Sequence, residues 1–231
     1  MLGNTQVNSP EYDLPGKYEM IRYIVLITLW VAWCFLHSFL ITSVVTRFIQ
    51  KHLRKTYQYY RIIYNFIALV SLIPVMIYSF SIKGVPLFYW EGPFRIIQGI
   101  LIFSALLFFI GGARKYDIAS FIGVRQIREN STCSILNDDC RLNTTGMLGI
   151  VRHPWYSGGI LIVWARNLDM SAILTNLVIS GYFFIGAYLE ERRLLSEFGD
   201  QYFDYQQHVS MLFPLKWLRQ KSLNWQNNVR K

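Results

Sequence analysis

Five stretches of this 231-residue chain are almost wholly apolar, and that restricts the folds open to it. Inside a bilayer every backbone N–H and C=O must be satisfied within the protein, so such runs are expected to be helices. A helix crosses the ~30 Å hydrocarbon core with roughly 20 residues. Met20–Val45, Tyr59–Ile82 and Phe94–Gly112 meet that length, the second with Pro74 as an expected kink. Tyr156–Leu168 is short and Ala172–Leu189 nearly full length. Only a short stretch containing Asp169 parts them, so they read as one tight helical hairpin. The first arm is expected to tilt, to start earlier, or to stop inside the protein. The fold class predicted is all-α integral membrane: five transmembrane helices, a C-terminal helical hairpin and a cytoplasmic amphipathic tail helix. A single membrane domain covers 1–231. Its three N-terminal spans lie in 1–115, and a loop, the hairpin and the tail fill 116–231.

Composition agrees. The chain is 53% hydrophobic and 16% charged, too apolar and charge-poor for an ordinary soluble domain. Cys34, Cys133 and Cys140 form neither a disulfide framework nor a zinc spacing, so no metal site is expected. The net charge of +9 raises nucleic acid as a partner, but the Lys and Arg cluster between apolar runs, as membrane topology requires. Nucleic-acid binding is therefore excluded, and the lipid bilayer is the expected partner. Met1–Glu19 is polar and acidic, unlike the basic start of a signal peptide.

The same charges orient the chain. Eighteen of the 23 Lys and Arg lie in 46–61, in 113–153 or after Glu191, and five lie on the other side. Excess basic charge marks the cytoplasmic side, so the N-terminus is expected outside and the C-terminus in the cytoplasm, in a bacterial inner membrane. From Arg192 to Val209, Leu194, Leu195, Phe198, Tyr202, Tyr205 and Val209 recur at helical spacing, which predicts an amphipathic surface helix bent at Gly199. Met211–Pro214 is expected to close it, with Lys216, Trp217 and Arg219 as an interfacial anchor.

Chemistry is concentrated in 142–205. Leu142-Asn143-Thr144-Thr145-Gly146 leads to Arg152-His153-Pro154-Trp155-Tyr156-Ser157-Gly158. After the hairpin come Glu190-Glu191, Phe198-Gly199 and Tyr202-x-x-Tyr205. Two polar clusters thus stand at the feet of one hairpin, where charge is costly unless paired or solvated. Read plainly, Arg152 and His153 are headgroup contacts at a helix mouth, Pro154 is a helix start, and Glu190-Glu191 are solvated charges leaving the bilayer.

The whole pattern, at its spacings, resembles the integral-membrane methyltransferases that include isoprenylcysteine carboxyl methyltransferase, phospholipid N-methyltransferases and methanethiol S-methyltransferase. The resemblance is strongest over 140–214. The first 115 residues look like the bacterial relatives of methanethiol S-methyltransferase. This resemblance implies S-adenosyl-L-methionine as cofactor. It implies cofactor contacts at Leu142, Asn143, Leu148, His153, Pro154, Trp155, Tyr156 and Glu190, with Arg152, His153 and Glu191 as catalytic candidates. Cys140 stands where the prenylcysteine enzymes have histidine, Leu148 where they have tyrosine, and Gly186 where they hold a substrate carboxylate with arginine. Classical prenylcysteine methylation is therefore disfavoured; the expected acceptor is small or lipophilic, a thiol being favoured over a lipid amine or a lipophilic carboxylate. Gly186 and Gly181 leave room or allow close helix packing, and packing is the simpler expectation.

His37 and Ser38 lie inside the first span and are candidates for lining a substrate channel. Arg166, Asn167 and Asp169, at the far tip of the hairpin, are expected to face the outer interface or pair with each other. Two other readings stay open. A membrane sterol-type reductase using NADPH resembles the chain at Arg-x-Pro-x-Tyr but has other residues where Trp155 and Gly159 stand. A non-catalytic accessory membrane protein of the same fold is the second.

Overall fold

The computed structural model describes residues 16–53, 56–115 and 142–229, with a few positions between 119 and 127. Cys133 and Cys140 lie outside the described residues. Eight α-helices are seen among them: α1 Lys17–Leu40, α2 Ser43–His52, α3 Tyr60–Ser81, α4 Phe94–Ala113, α5 Pro154–Trp164, α6 Met170–Phe198, α7 Asp200–His208 and α8 Leu215–Val229. No strand forms among the described residues, only two isolated bridges.

Four of these helices, α1, α3 with its leading turn, α4 and α6, are long and apolar enough to cross a membrane. Their outward faces carry large exposed side chains such as Phe66 (65%), Ile96 (70%) and Phe103 (63%). Water would not tolerate so broad an apolar surface, whereas lipid does, so the chain fits an integral membrane protein.

The expected first span is two helices. α1 stops at Leu40, and Thr42 adopts an extended conformation (φ −63°, ψ 149°) with its hydroxyl accepting from the Val45 N–H at 3.4 Å. That side chain caps a new helix, which an apolar count over Met20–Val45 does not reveal. α2 then replaces part of the expected 46–61 loop. No residue of it is buried, Val44 (69%) and Phe48 (60%) are exposed, and Arg47 and Lys51 sit among them. α3 continues as a helix through Pro74.

The hairpin also differs in its limits. α5 begins at Pro154, two residues early, and its 11 residues extend only ~16 Å. α6 runs 29 residues without interruption and absorbs the first half of the expected tail helix. Gly199 ends it with φ +53° and ψ −130°, a region closed to side-chain-bearing residues, and α7 turns back from there. The tail is thus not a surface helix throughout: Tyr202 (1%) and Tyr205 (8%) pack with Leu194, Val209, Leu142 and Phe198 in a core of their own.

Packing follows the chain in an up-and-down order. α1 and α3 are antiparallel, tied by Tyr78 Oη to Arg22 O (3.2 Å) and Trp33 Nε1 to Ala68 O (3.0 Å). Their core of Leu26, Trp30, Val75 and Ile82 meets Leu174, Val178 and Ile179 of α6. α5 lies antiparallel against α4, from Trp155 Nε1 on Phe109 O (3.2 Å) to Gln98 Nε2 on Ala165 O (2.8 Å). A Cβ at Gly112 would lie 2.5 Å from the Trp155 indole, so glycine there lets the indole in. At the far end, Asp169 caps α6 through the Ala172 N–H (2.6 Å) and also accepts from the Gly84 N–H (3.2 Å). Arg166 donates to Asn176 Oδ1 at 2.7 Å rather than pairing with Asp169, and Asn167 accepts from the Trp90 N–H at 3.1 Å.

Candidate functional site

The start of α5, the last third of α6 and the end of α7 converge at the end of the bundle opposite Asp169. The segment before α5 is held by the tail: Val151 pairs with Ser210, the Arg152 N–H donates to Ser210 O (2.9 Å), and the His153 N–H to Met211 O (3.1 Å). Ser157, fully buried, bonds Leu212 O at 2.5 Å. Pro154, which has no N–H to satisfy, occupies the first helical position. The main chain around Arg152 and His153 is therefore fixed on both sides before any side-chain contact is counted.

Arg152 and Glu191 form the centre. Arg152 Nε lies 2.6 Å from Glu191 Oε1, with both side chains under a tenth exposed. Arg152 Nη1 also donates to the carbonyls of Gln206 (3.1 Å) and Val209, at the end of α7. Glu191 Oε1 lies 3.3 Å from His153 Nε2, and Oε2 accepts from Gln206 Nε2 at 3.0 Å. Both carboxylate oxygens are thus engaged, as a buried charge requires. Glu190 is different. Its Oε2 accepts from Tyr156 Oη at 3.1 Å and lies 3.6 Å from His153 Nδ1, yet 31% of its side chain remains exposed. His153 stacks on Tyr156 (5.5 Å, 11°), which stacks on Phe183 (5.5 Å, 16°), and these rings wall the cluster.

Of the residues singled out in the sequence, Arg152, His153, Tyr156, Glu190 and Glu191 come together here. The others are placed differently. Trp155 points its indole into α4. Leu148 is buried and its carbonyl accepts from Tyr205 Oη at 2.5 Å. Leu142 packs into the α6–α7 core. Asn143 Oδ1 accepts from the Thr145 N–H (3.0 Å) and hydroxyl (2.9 Å), shaping the turn before Gly146. Gln206 was missed by sequence reasoning, although it directly follows Tyr205 in the Tyr-x-x-Tyr pattern. Tyr202, part of the Tyr-x-x-Tyr motif, is buried, and its hydroxyl has no partner. Burial pushes the Tyr202 and Tyr205 hydroxyls up, so both stay neutral. No cluster of His, Cys, Asp and Glu among the described residues could hold a metal ion.

Residues 25–210 match the family described as NnrU protein. The chain belongs to that family. It is also similar to Methanethiol S-methyltransferase 1 of Bradyrhizobium diazoefficiens, 43% identical over 75 residues, which are 32% of this chain and 26% of the relative. Methanethiol S-methyltransferase of Mycobacterium tuberculosis is 40% identical over 65 residues, 28% of this chain and 27% of the relative. That of Pseudomonas deceptionensis is 36% identical over 77 residues, 33% and 29% of the two chains. The matched stretches thus span about a quarter to three-tenths of these relatives. No solved structure matches the chain.

The Arg152–Glu191 pair joins three segments, so its loss carries a defined cost. Arg152→Ala or Glu191→Ala leaves one charge buried and is expected to destabilise by about 3–5 kcal/mol. The double replacement Arg152→Met with Glu191→Leu is expected to cost less than the sum of the two single changes. Unfolding curves of purified variants in detergent check this, and strictly additive losses contradict it.

Proposed function

We propose that this protein transfers a methyl group from S-adenosylmethionine to a thiol at the cytoplasmic face of a membrane. The observation that carries the reading is Glu190: a partly exposed carboxylate beside a tyrosine hydroxyl, backed by an Arg152–Glu191–His153 network. The similarity to proteins named methanethiol S-methyltransferase favours a thiol as acceptor.

The donor set fits the cofactor. Glu190 can accept from ribose hydroxyls or an amino group, and a nearby carboxylate lowers the cost of holding a sulfonium away from water. His153, Tyr156 and Phe183 offer ring faces. The His153 N–H is given to Met211 O, so the α5 N-terminus contributes less to anion binding than its position in the sequence implies. When bound, S-adenosylmethionine supplies a methyl that an acceptor sulfur takes in line, the old carbon–sulfur pair staying on S-adenosylhomocysteine and the acceptor proton passing to water.

The chain's own residues act by placement. Arg152 and Gln206 hold Glu191, Glu191 holds His153, and Tyr156 holds Glu190, so the pocket wall keeps one geometry without substrate. A thiolate meeting a sulfonium neutralises charge, so an apolar setting at a bundle end favours the reaction.

The proposed topology has five crossings, α5 being the short one, with the N-terminus outside. It is supported by the basic asymmetry and by the antiparallel packing of α5 against both α4 and α6. Cysteines at Val85 and Gln220, in a background without the three native ones, test it. Membrane-impermeant labelling of intact cells is expected at Val85 only, and labelling at Gln220 overturns the orientation.

For the chemistry, Glu190→Ala is expected to abolish S-adenosylhomocysteine binding in calorimetry while the protein keeps its unfolding transition. Unchanged affinity refutes the role of Glu190. Binding of NADPH instead of S-adenosylhomocysteine by the unaltered protein refutes methyl transfer.

A further inference from the structure

A polar cluster inside the bundle, between α1, α3 and α6, is not used by the site described above. His37 stacks on Trp33 (5.6 Å, 16°), meets Tyr182 edge-on at 6.3 Å, and lies 6.0 Å from Tyr64. Its Nδ1 is buried and has no hydrogen-bond partner. A buried polar atom left unpaired costs about 1–3 kcal/mol, which a polar group of a bound molecule would recover on displacing the contacts that cover the nitrogen. Beside it, Ser38 Oγ donates to Tyr182 Oη at 3.1 Å.

Tyr182 connects this cluster to the site. Its ring lies 6.0 Å from that of Phe183, which stacks on Tyr156, which stacks on His153. The same face of α6 carries Gly186, one turn past Tyr182 and one turn before Glu190. A Cβ at Gly186 would meet nothing nearer than the Tyr156 hydroxyl at 4.0 Å. Close helix packing does not explain that glycine. It leaves a gap beside the hydroxyl that holds Glu190.

We propose that the face of α6 bearing Tyr182, Gly186 and Glu190 is the acceptor-binding lane, with Gly186 making room at the reacting end and His37 reading a polar group at the far end. The proposal rests on the methyl-transfer reading of the Glu190 end and names the substrate class of that site. Two turns of α6 separate Glu190 from Tyr182, ~12 Å along the axis, which an extended octyl chain matches. Rings along the lane suit an alkyl chain. At the far end a hydroxyl meets His37 in either tautomer, because it both donates and accepts. The class inferred is a neutral, unbranched aliphatic thiol with a terminal hydroxyl, entering from the bilayer. A carboxylate at the reacting end would find no cation at Gly186.

The test uses mercapto-octanol and octanethiol as probes, titrated calorimetrically into the purified full-length protein in nanodiscs, with S-adenosylhomocysteine titrated separately. One buried hydrogen bond corresponds to about a tenfold preference for mercapto-octanol. His37→Leu is expected to erase that preference and His37→Gln, which keeps an acceptor and a donor, to retain part of it. Gly186→Leu is expected to weaken both thiols at least about tenfold, by filling the gap. S-adenosylhomocysteine binding by the His37 variants shows that they are folded. The lane is overturned if the preference is absent in the unaltered protein, or is the same in His37→Leu. Failure of the unaltered protein to bind S-adenosylhomocysteine overturns the methyl-transfer reading instead, whatever the thiols do.

Discussion

A buried guanidinium–carboxylate pair organises the cytoplasmic end proposed for this bundle. Arg152 and Glu191 lie 2.6 Å apart with little solvent around either. Neither is stable there alone, because desolvation of a single buried charge outweighs its remaining contacts. Each therefore fixes the other's element. Arg152 also engages carbonyls of Gln206 and Val209, so α7 folds back onto the start of α5 and cannot continue along α6. The turn at Gly199, with its positive φ, makes that return possible. The pair thus reinforces the main-chain contacts by which Ser210 and Met211 cover the segment that presents His153.

This arrangement separates two neighbouring carboxylates by role. Glu191 is saturated by Arg152, His153 and Gln206, and Glu190 keeps a single hydroxyl donor and an open side. Consecutive residues on a helix point about 100° apart, so one faces the tail core while the other faces the space beside Gly186. A binding carboxylate held by a satisfied neighbour loses little entropy on meeting a ligand, the general benefit of pre-organisation. The same geometry keeps Glu190 beside the ring stack of His153, Tyr156 and Phe183.

Much of this was legible in the sequence, for identifiable reasons. Apolar length reported α1, α3, α4 and α6, because hydrocarbon leaves the backbone no alternative to helix. The Arg-His-Pro-x-Tyr and Glu-Glu motifs named the five side chains that converge. What was not legible depended on tertiary contact. The break at Thr42 follows from one side-chain cap inside an apolar run. Trp155, Leu142 and Leu148, which the resemblance implies as cofactor contacts, pack against α4 and the tail. Spacing alone does not say which of these neighbours pack on other elements. Gln206 gained its place only when α7 folded back, and nothing local announces that contact.

In the function proposed, the Arg152–Tyr156 segment and Glu190 surround one S-adenosylmethionine. Ultraviolet cross-linking with methyl-labelled S-adenosylmethionine, followed by peptide mapping of the purified protein, tests it most directly. The account predicts label in the peptides carrying His153–Tyr156 and Glu190, displaced by excess S-adenosylhomocysteine. Displaceable label confined to other peptides, or no displaceable label, would contradict it.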